Sequence, residues 1–141
     1  MYLVDTDVIS EARKGGKADS GVLAFLREAA GNDDALYLSA ITVGELRRGV
    51  EIIRHRGDRA QADQLEHWLQ RVLDEYAENI LPLDAETGQV WGRLRVPHPE
   101  DPLDKQIAAT ALIHDLTLVT RNVKHFEGLG VRLLNPFGRT G

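Results

Sequence analysis

Apolar positions along this chain alternate between two rhythms. Short apolar runs at Tyr2-Leu3-Val4, Leu36-Tyr37-Leu38 and Ile80-Leu81, with Leu116 to Val119 and Val131 to Leu134 interrupted only by Thr117 and Arg132, predict strands, and Leu116 to Val119 reads as a buried strand of a parallel sheet. The segments between them carry apolar residues at helical spacing. Val8, Ile9 and Ala12 predict a helix ending at Gly15-Gly16, and Val22, Leu23, Phe25 and Leu26 a second that stops at Gly31. Val43, Leu46, Val50 and Ile53 predict a third, broken at Gly57-Asp58. Leu65, Leu69, Val72 and Tyr76, with Trp68 beside them, form an amphipathic stripe that packs into the core or against a second subunit. Asp84 caps a further helix carrying Val90, Trp91 and Leu94. Beyond a loop bracketed by Pro97, Pro99 and Pro102, Asp101 reads as an N-cap and Pro102 as the first residue of a last long helix. Ala108, Ala109 and Ala111 let that helix lie close to what it packs on.

Short strands alternating with helices predict right-handed crossovers and an α/β fold with three α/β/α layers and a mostly parallel central sheet of four to five short strands. Neither internal repeats nor linkers divide the chain, so residues 1–141 read as a single domain with 135–141 as a C-terminal tail. In such sheets chemistry gathers at the carboxyl ends of the strands.

That rule singles out particular acids. Asp5 follows the first strand directly, and helix capping is the competing reading for Asp7 more than for Asp5. Glu45 opens the helix after the second strand, where Thr42-Val43-Gly44-Glu45 also fits a capping box. Gly44 and Gly49, each costing about 1 kcal/mol against alanine inside a helix, suggest close backbone approach beside Glu45. Asp104 lies in the first turn of the last long helix, where the dipole favours negative charge. Three carboxylates on one rim repel one another and raise their own pKa values unless a cation sits among them. The sequence has no Cys, so a metal here takes oxygen or imidazole ligands, and oxygen donors suit Mg²⁺ or Mn²⁺. His55, His67, His98, His114 and His125 show no ligand spacing, though His125 falls near the rim and its role stays open.

Composition narrows the classes further. The chain has 141 residues, is 43% hydrophobic and carries a formal charge of −5, which argues against coating nucleic acid through bulk positive charge. Local basic groups remain: Arg47, Arg48, Arg54, His55, Arg56 and Arg59 in one cluster, Arg121, Lys124 and His125 in another. Solvated surface is the ordinary fate of such clusters; Arg47, Arg48, Arg121 and Lys124 are the candidates for RNA contact. No apolar run approaches a membrane span and no signal peptide is evident, so a cytoplasmic protein is expected.

Three segments in order, VDTDVISEARK, LSAITVGELRRGV and DKQIAATALIHDLTLVTRNVKHFEGLGVRLLNP, resemble the PIN-domain ribonuclease toxins of the VapC family, FitB-like branch, and the resemblance covers essentially the whole chain. It implies an Mg²⁺- or Mn²⁺-dependent endoribonuclease that is the toxin of a type II toxin-antitoxin system and hydrolyses RNA through a metal-activated water. Asp5 and Asp104 would ligate the metal, Glu45 would ligate it or position water, and Thr6 and Thr120 would support the site. Asn122 stands where many relatives carry a fourth acid, so the resemblance places it in the catalytic set as an amide that weakens a second metal position. Asp7 stands where relatives often have Asn, and His125 where several have Asp. The resemblance also implies a homodimer and a small VapB-like antitoxin that inserts a basic residue among the acids. Two other readings fit part of the pattern: a haloacid-dehalogenase-like phosphatase, from Asp5-Thr6-Asp7 after a strand, and a non-catalytic PIN-fold binding subunit, from Asn122 and the acidic charge.

Overall fold

The computed structural model describes residues 1–138; of the expected tail, residues 139–141 lie outside the described residues. The elements run β1 (Tyr2–Val4), α1 (Thr6–Ala12), α2 (Ser20–Gly31), β2 (Leu36–Ser39), α3 (Ala40–His55), α4 (Arg59–Glu75), β3 (Ile80–Leu81), α5 (Ala85–Leu94), α6 (Pro102–Ile113), β4 (Thr117–Val119), α7 (Val123–Phe126) and β5 (Leu133–Leu134). A 3₁₀ turn, Gly15–Lys17, links α1 to α2.

The five strands form one parallel sheet in the order β3-β2-β1-β4-β5. The chain winds outward from β1 on one side through β2 and β3, and on the other through β4 and β5. Right-handed crossovers in opposite directions place helices on opposite faces, and the strand order reverses at the β1–β4 pair. Register fixes that pair: Leu3 lies opposite Leu118 and Val4 opposite Val119.

Period-two alternation then sorts the core. Val4, Leu38 and Val119 face Val8, Ile9, Val22, Phe25, Leu46, Val50, Leu69 and Val72 of α1 to α4. Leu3 and Leu118 point the other way, against Ile107, Ala108 and Ala111 of α6 and Phe126 of α7. These are the three layers that the alternation of strands and helices predicts, and the sheet is wholly parallel. The α4 stripe is core packing at Leu69 and Val72, with Leu65, Trp68 and Tyr76 partly buried against the same cluster. Ala108, Ala109 and Ala111 are fully buried, so α6 lies against the sheet with no room for a larger side chain.

Two expectations about local chemistry change. The capping box at Thr42 does not form: β2 runs straight into α3, and Ser39 is the N-cap, its hydroxyl accepting from the Ile41 N–H at 3.1 Å. That places Glu45 in the second turn, free to face the sheet rim. Close backbone approach at Gly44 and Gly49 is absent as well, because a Cβ at either position would meet nothing within 4 Å. Gly49 instead borders an open hollow of about 180 Å³ shared with Thr6, Arg13 and Glu45.

Candidate active site

The end of β1 supplies the most constrained acid. Asp5 is 5% exposed, and its own N–H extends the ladder to Val119. It is the N-cap of α1: the Thr6 N–H donates to Oδ1 at 2.8 Å, so capping and site chemistry fall on one carboxylate rather than being divided between Asp5 and Asp7. The Thr120 hydroxyl, at the end of β4, donates to Asp5 Oδ2 at 2.8 Å and accepts from the Asn122 N–H at 3.0 Å. One buried threonine thus ties the strand-end acid to the loop after β4. Burial pushes the Asp5 carboxyl up to about 6, helped by the charges of Asp7 and Asp104 and opposed by the Thr120 and Thr6 hydrogen bonds.

Asp7 is not the cap. Its Oδ2 accepts from the Arg121 N–H at 3.0 Å, and its Oδ1 is a buried oxygen without a hydrogen-bond partner. Burial raises its pKa against the Arg121 and Val8 N–H groups. Glu45 is half-buried; the Thr6 hydroxyl donates to its Oε1 at 3.2 Å. Burial raises it above the usual carboxylate range, with Asp104 and Asp7 adding to the effect and Arg48, three residues along α3, opposing it. Asp104, in the first turn of α6, raises all three of the others. The sequence-predicted acids therefore share one electrostatic environment, with Asp7 as a fourth member that the capping reading had set aside.

Around Asp104 the structure adds two groups. Asp101 is the N-cap residue by position, but it sits in the left-handed region at φ 51° and its side chain caps nothing. Instead Asp101, Asp104 and His125 each bring one candidate ligand atom within 4.8 Å of the others. His125 Nδ1–H donates to Asp104 Oδ2 at 2.9 Å, a bond that raises the pKa of the imidazole. Asn122, expected as the amide in a fourth acid's place, precedes α7 and contributes its backbone N–H to Thr120, while its side chain makes no capping bond. From this segment Arg121 reaches Asp7 through its backbone N–H, and the side chain that touches an acid is that of His125.

The basic candidates divide. Arg47 is paired with Glu51 and Glu66 at 3.2 and 2.9 Å, part of a network that also holds Arg54. Arg48 and Lys124 are exposed. The Arg121 guanidinium lies 4.7 Å over the ring of Phe137, in the expected tail, and the next residue, Gly138, donates its N–H to Asp19. A further cation went unnoticed in sequence: Lys105, 6% exposed, donates through Nζ to the His98 carbonyl and tethers the proline loop to α6. Its place next to Asp104 on a helix was the available signal.

The donor set fits a hard divalent cation. It consists of carboxylate oxygens and one imidazole, Asp5 and Glu45 are raised chiefly by burial with neighbouring carboxylates adding to it, and Asp7 Oδ1 is a buried oxygen lacking a partner.

Carboxylates gathered where the order of a parallel sheet reverses define the class of an α/β domain with an acidic site at its strand ends. The particular family follows from direct comparison: the PIN domain family matches residues 2–129, and the chain belongs to it. It is 35% identical over 143 residues to the toxin FitB of Neisseria gonorrhoeae, covering 97% of this chain and 99% of that one. It is likewise 35% identical over 144 residues to the VapC ribonuclease Y4jK of Sinorhizobium fredii, covering 97% and 98%. The crystal structure of FitAcB from Neisseria gonorrhoeae superimposes with a TM-score of 0.82 at 34% identity, covering 96% of this chain and 98% of that one. Membership of the PIN family places the Asp5-Thr6-Asp7 turn outside the haloacid-dehalogenase pattern.

Proposed function

We propose that this protein is a metal-dependent endoribonuclease, hydrolysing RNA phosphodiester bonds as the toxin of a type II toxin-antitoxin pair in the cytoplasm. The observation that carries the reading is the gathering of Asp5, Asp7, Glu45 and Asp104 at the carboxyl ends of the strands, where Asp5, Asp7 and Glu45 are held up by burial and by the Asp104 charge. Relatives named as the toxin FitB and as a VapC ribonuclease support it.

Asp5, Asp104 and Glu45 would hold Mg²⁺ or Mn²⁺. A bound divalent ion supplies Lewis-acid stabilisation of the phosphate and a lowered pKa for attacking water. The protein's own groups do the rest. Thr6 and Thr120 fix both oxygens of Asp5 and one of Glu45, so the carboxylates are oriented before substrate arrives. Glu45, raised in pKa and half-exposed, takes a proton from the water that attacks phosphorus. Arg48 and Arg121 lie closest in charge to the acids and neutralise substrate phosphates. The acidic rim also suits a basic residue from a small VapB-like antitoxin, whose positive charge would stand in for that of the metal. Homodimerisation accompanies this reading.

The test is cleavage of RNA by antitoxin-free protein with added Mg²⁺ or Mn²⁺. Asp5→Asn and Asp104→Asn are expected to abolish cleavage while leaving the fold intact by circular dichroism. Undiminished cleavage by either variant overturns the proposal.

A further inference from the structure

One group on the acidic rim is not an acid. His125 meets Asp104 Oδ2 through Nδ1 at 2.9 Å, and with Asp101 the pair places candidate ligand atoms within 4.8 Å of one another. We infer that His125 is a direct ligand of the divalent ion held at Asp104, and that its imidazole tilts this site toward Mn²⁺ and away from Mg²⁺. The inference deepens the nuclease reading above and rests on its metal dependence.

Distance supports it first. Neighbouring ligands of an octahedral ion with bonds near 2.1 Å stand about 3.0 Å apart, and the Nδ1 to Oδ2 separation is 2.9 Å. At that separation an ion can bridge Nδ1 and Oδ2 without either side chain moving far. Donor chemistry supports it second. Carboxylate and water suit Mg²⁺, whereas imidazole nitrogen suits first-row transition ions. A site with one nitrogen among its oxygens therefore binds Mn²⁺ better relative to Mg²⁺ than an all-oxygen site does. Access supports it third: the His125 side chain is 50% exposed and Asp101 is exposed beside it, so the cluster opens to solvent and to a hydrated ion.

A residue that only orients Asp104 through a hydrogen bond leaves no nitrogen on the metal, and this separates the two roles. Mn²⁺ is added to the full-length protein and ¹⁴N coupling is read by electron spin-echo envelope modulation. Calorimetric titrations with Mn²⁺ and with Mg²⁺ are run on the wild type, His125→Asp and His98→Ala. The expected result is ¹⁴N modulation in the wild type and in His98→Ala that vanishes in His125→Asp, with the Mn²⁺-over-Mg²⁺ preference falling about tenfold in that variant. The wild-type spectrum needs no variant to fold. Bound Mn²⁺ without nitrogen coupling, or coupling that survives in His125→Asp, overturns the inference; if Asp5→Asn still abolishes that Mn²⁺ binding, the nuclease reading stands. Failure of the wild type to bind either ion overturns both.

Discussion

Replacing Asp5 by asparagine removes the most strained charge in the molecule. The carboxyl is pushed from 3.8 to about 6, chiefly by burial and then by Asp7. A shift of about two units corresponds to roughly 3 kcal/mol of differential stability between the protonated and ionised forms. The folded state holds the proton more tightly than the unfolded chain, so stability is highest below the unfolded pKa and is lost as pH rises through about 6. Asparagine carries no charge and escapes that loss. It can still accept from the Thr6 N–H, and the favourable Thr120 bond to the ionised acid is already contained in that raised value. In acid both side chains are neutral and differ little, whereas at neutral pH only the wild type carries the buried charge. Asp5→Asn is therefore expected to match the wild type within about 1 kcal/mol near pH 4 and to be more stable by roughly 2–3 kcal/mol at pH 7.5. Urea unfolding of both proteins between pH 4 and pH 8, in chelator, reads the difference directly. Parallel stability curves across that range would show that Asp5 is not held up in the folded state, and the electrostatic account of the site would fall with it.

Three further outcomes follow from the same geometry. Thr120→Val removes the Asp5 bond and leaves the buried-side Asn122 N–H without its acceptor, costing about 1–3 kcal/mol by chemical denaturation; because Thr120 lowers the Asp5 pKa, the acid limb of the pH–activity profile moves to higher pH. Leu118→Ala, a fully buried side chain between β4 and α6, is expected to cost about 2–5 kcal/mol with the unfolding slope unchanged. Arg47→Ala, whose guanidinium is committed to Glu51 and Glu66 on the surface, changes RNA cleavage less than Arg48→Ala does and shifts stability by no more than about 1 kcal/mol.

The layered sheet was legible because its signals are local. Leu3 and Val4, or Leu118 and Val119, are adjacent apolar residues that only a strand covered on both faces accommodates. Asp5, Glu45 and Asp104 were legible for a related reason: each stands just beyond a strand end or in the opening turns of a helix, where the fold class itself directs a search. What escaped depends on contacts between distant parts of the chain. Asp7 looks like a cap until the Arg121 N–H, 114 positions away, is seen to bind it. His125 is one of five scattered histidines until α7 folds it onto Asp104. The Thr42 capping box failed through competition, since Ser39 three residues earlier could cap as well and the length of β2 decided between them.

The Thr120 clasp on Asp5 also bears on how the protein comes into being. The two residues are separated by 115 positions, and β1 lies between β2 and β4 in the finished sheet. A nascent chain emerging from the ribosome carries Asp5, Thr6 and Glu45 well before β4 exists to complete the central pair of strands. Pairings of such long sequence separation form late, and domains of this size fold as units. Translation that stalls before Thr120 yields acids without the socket that orients them. A cell making this protein thus meets an oriented acidic rim only once synthesis has passed β4, which leaves the whole preceding interval for a partner of that rim to be in place.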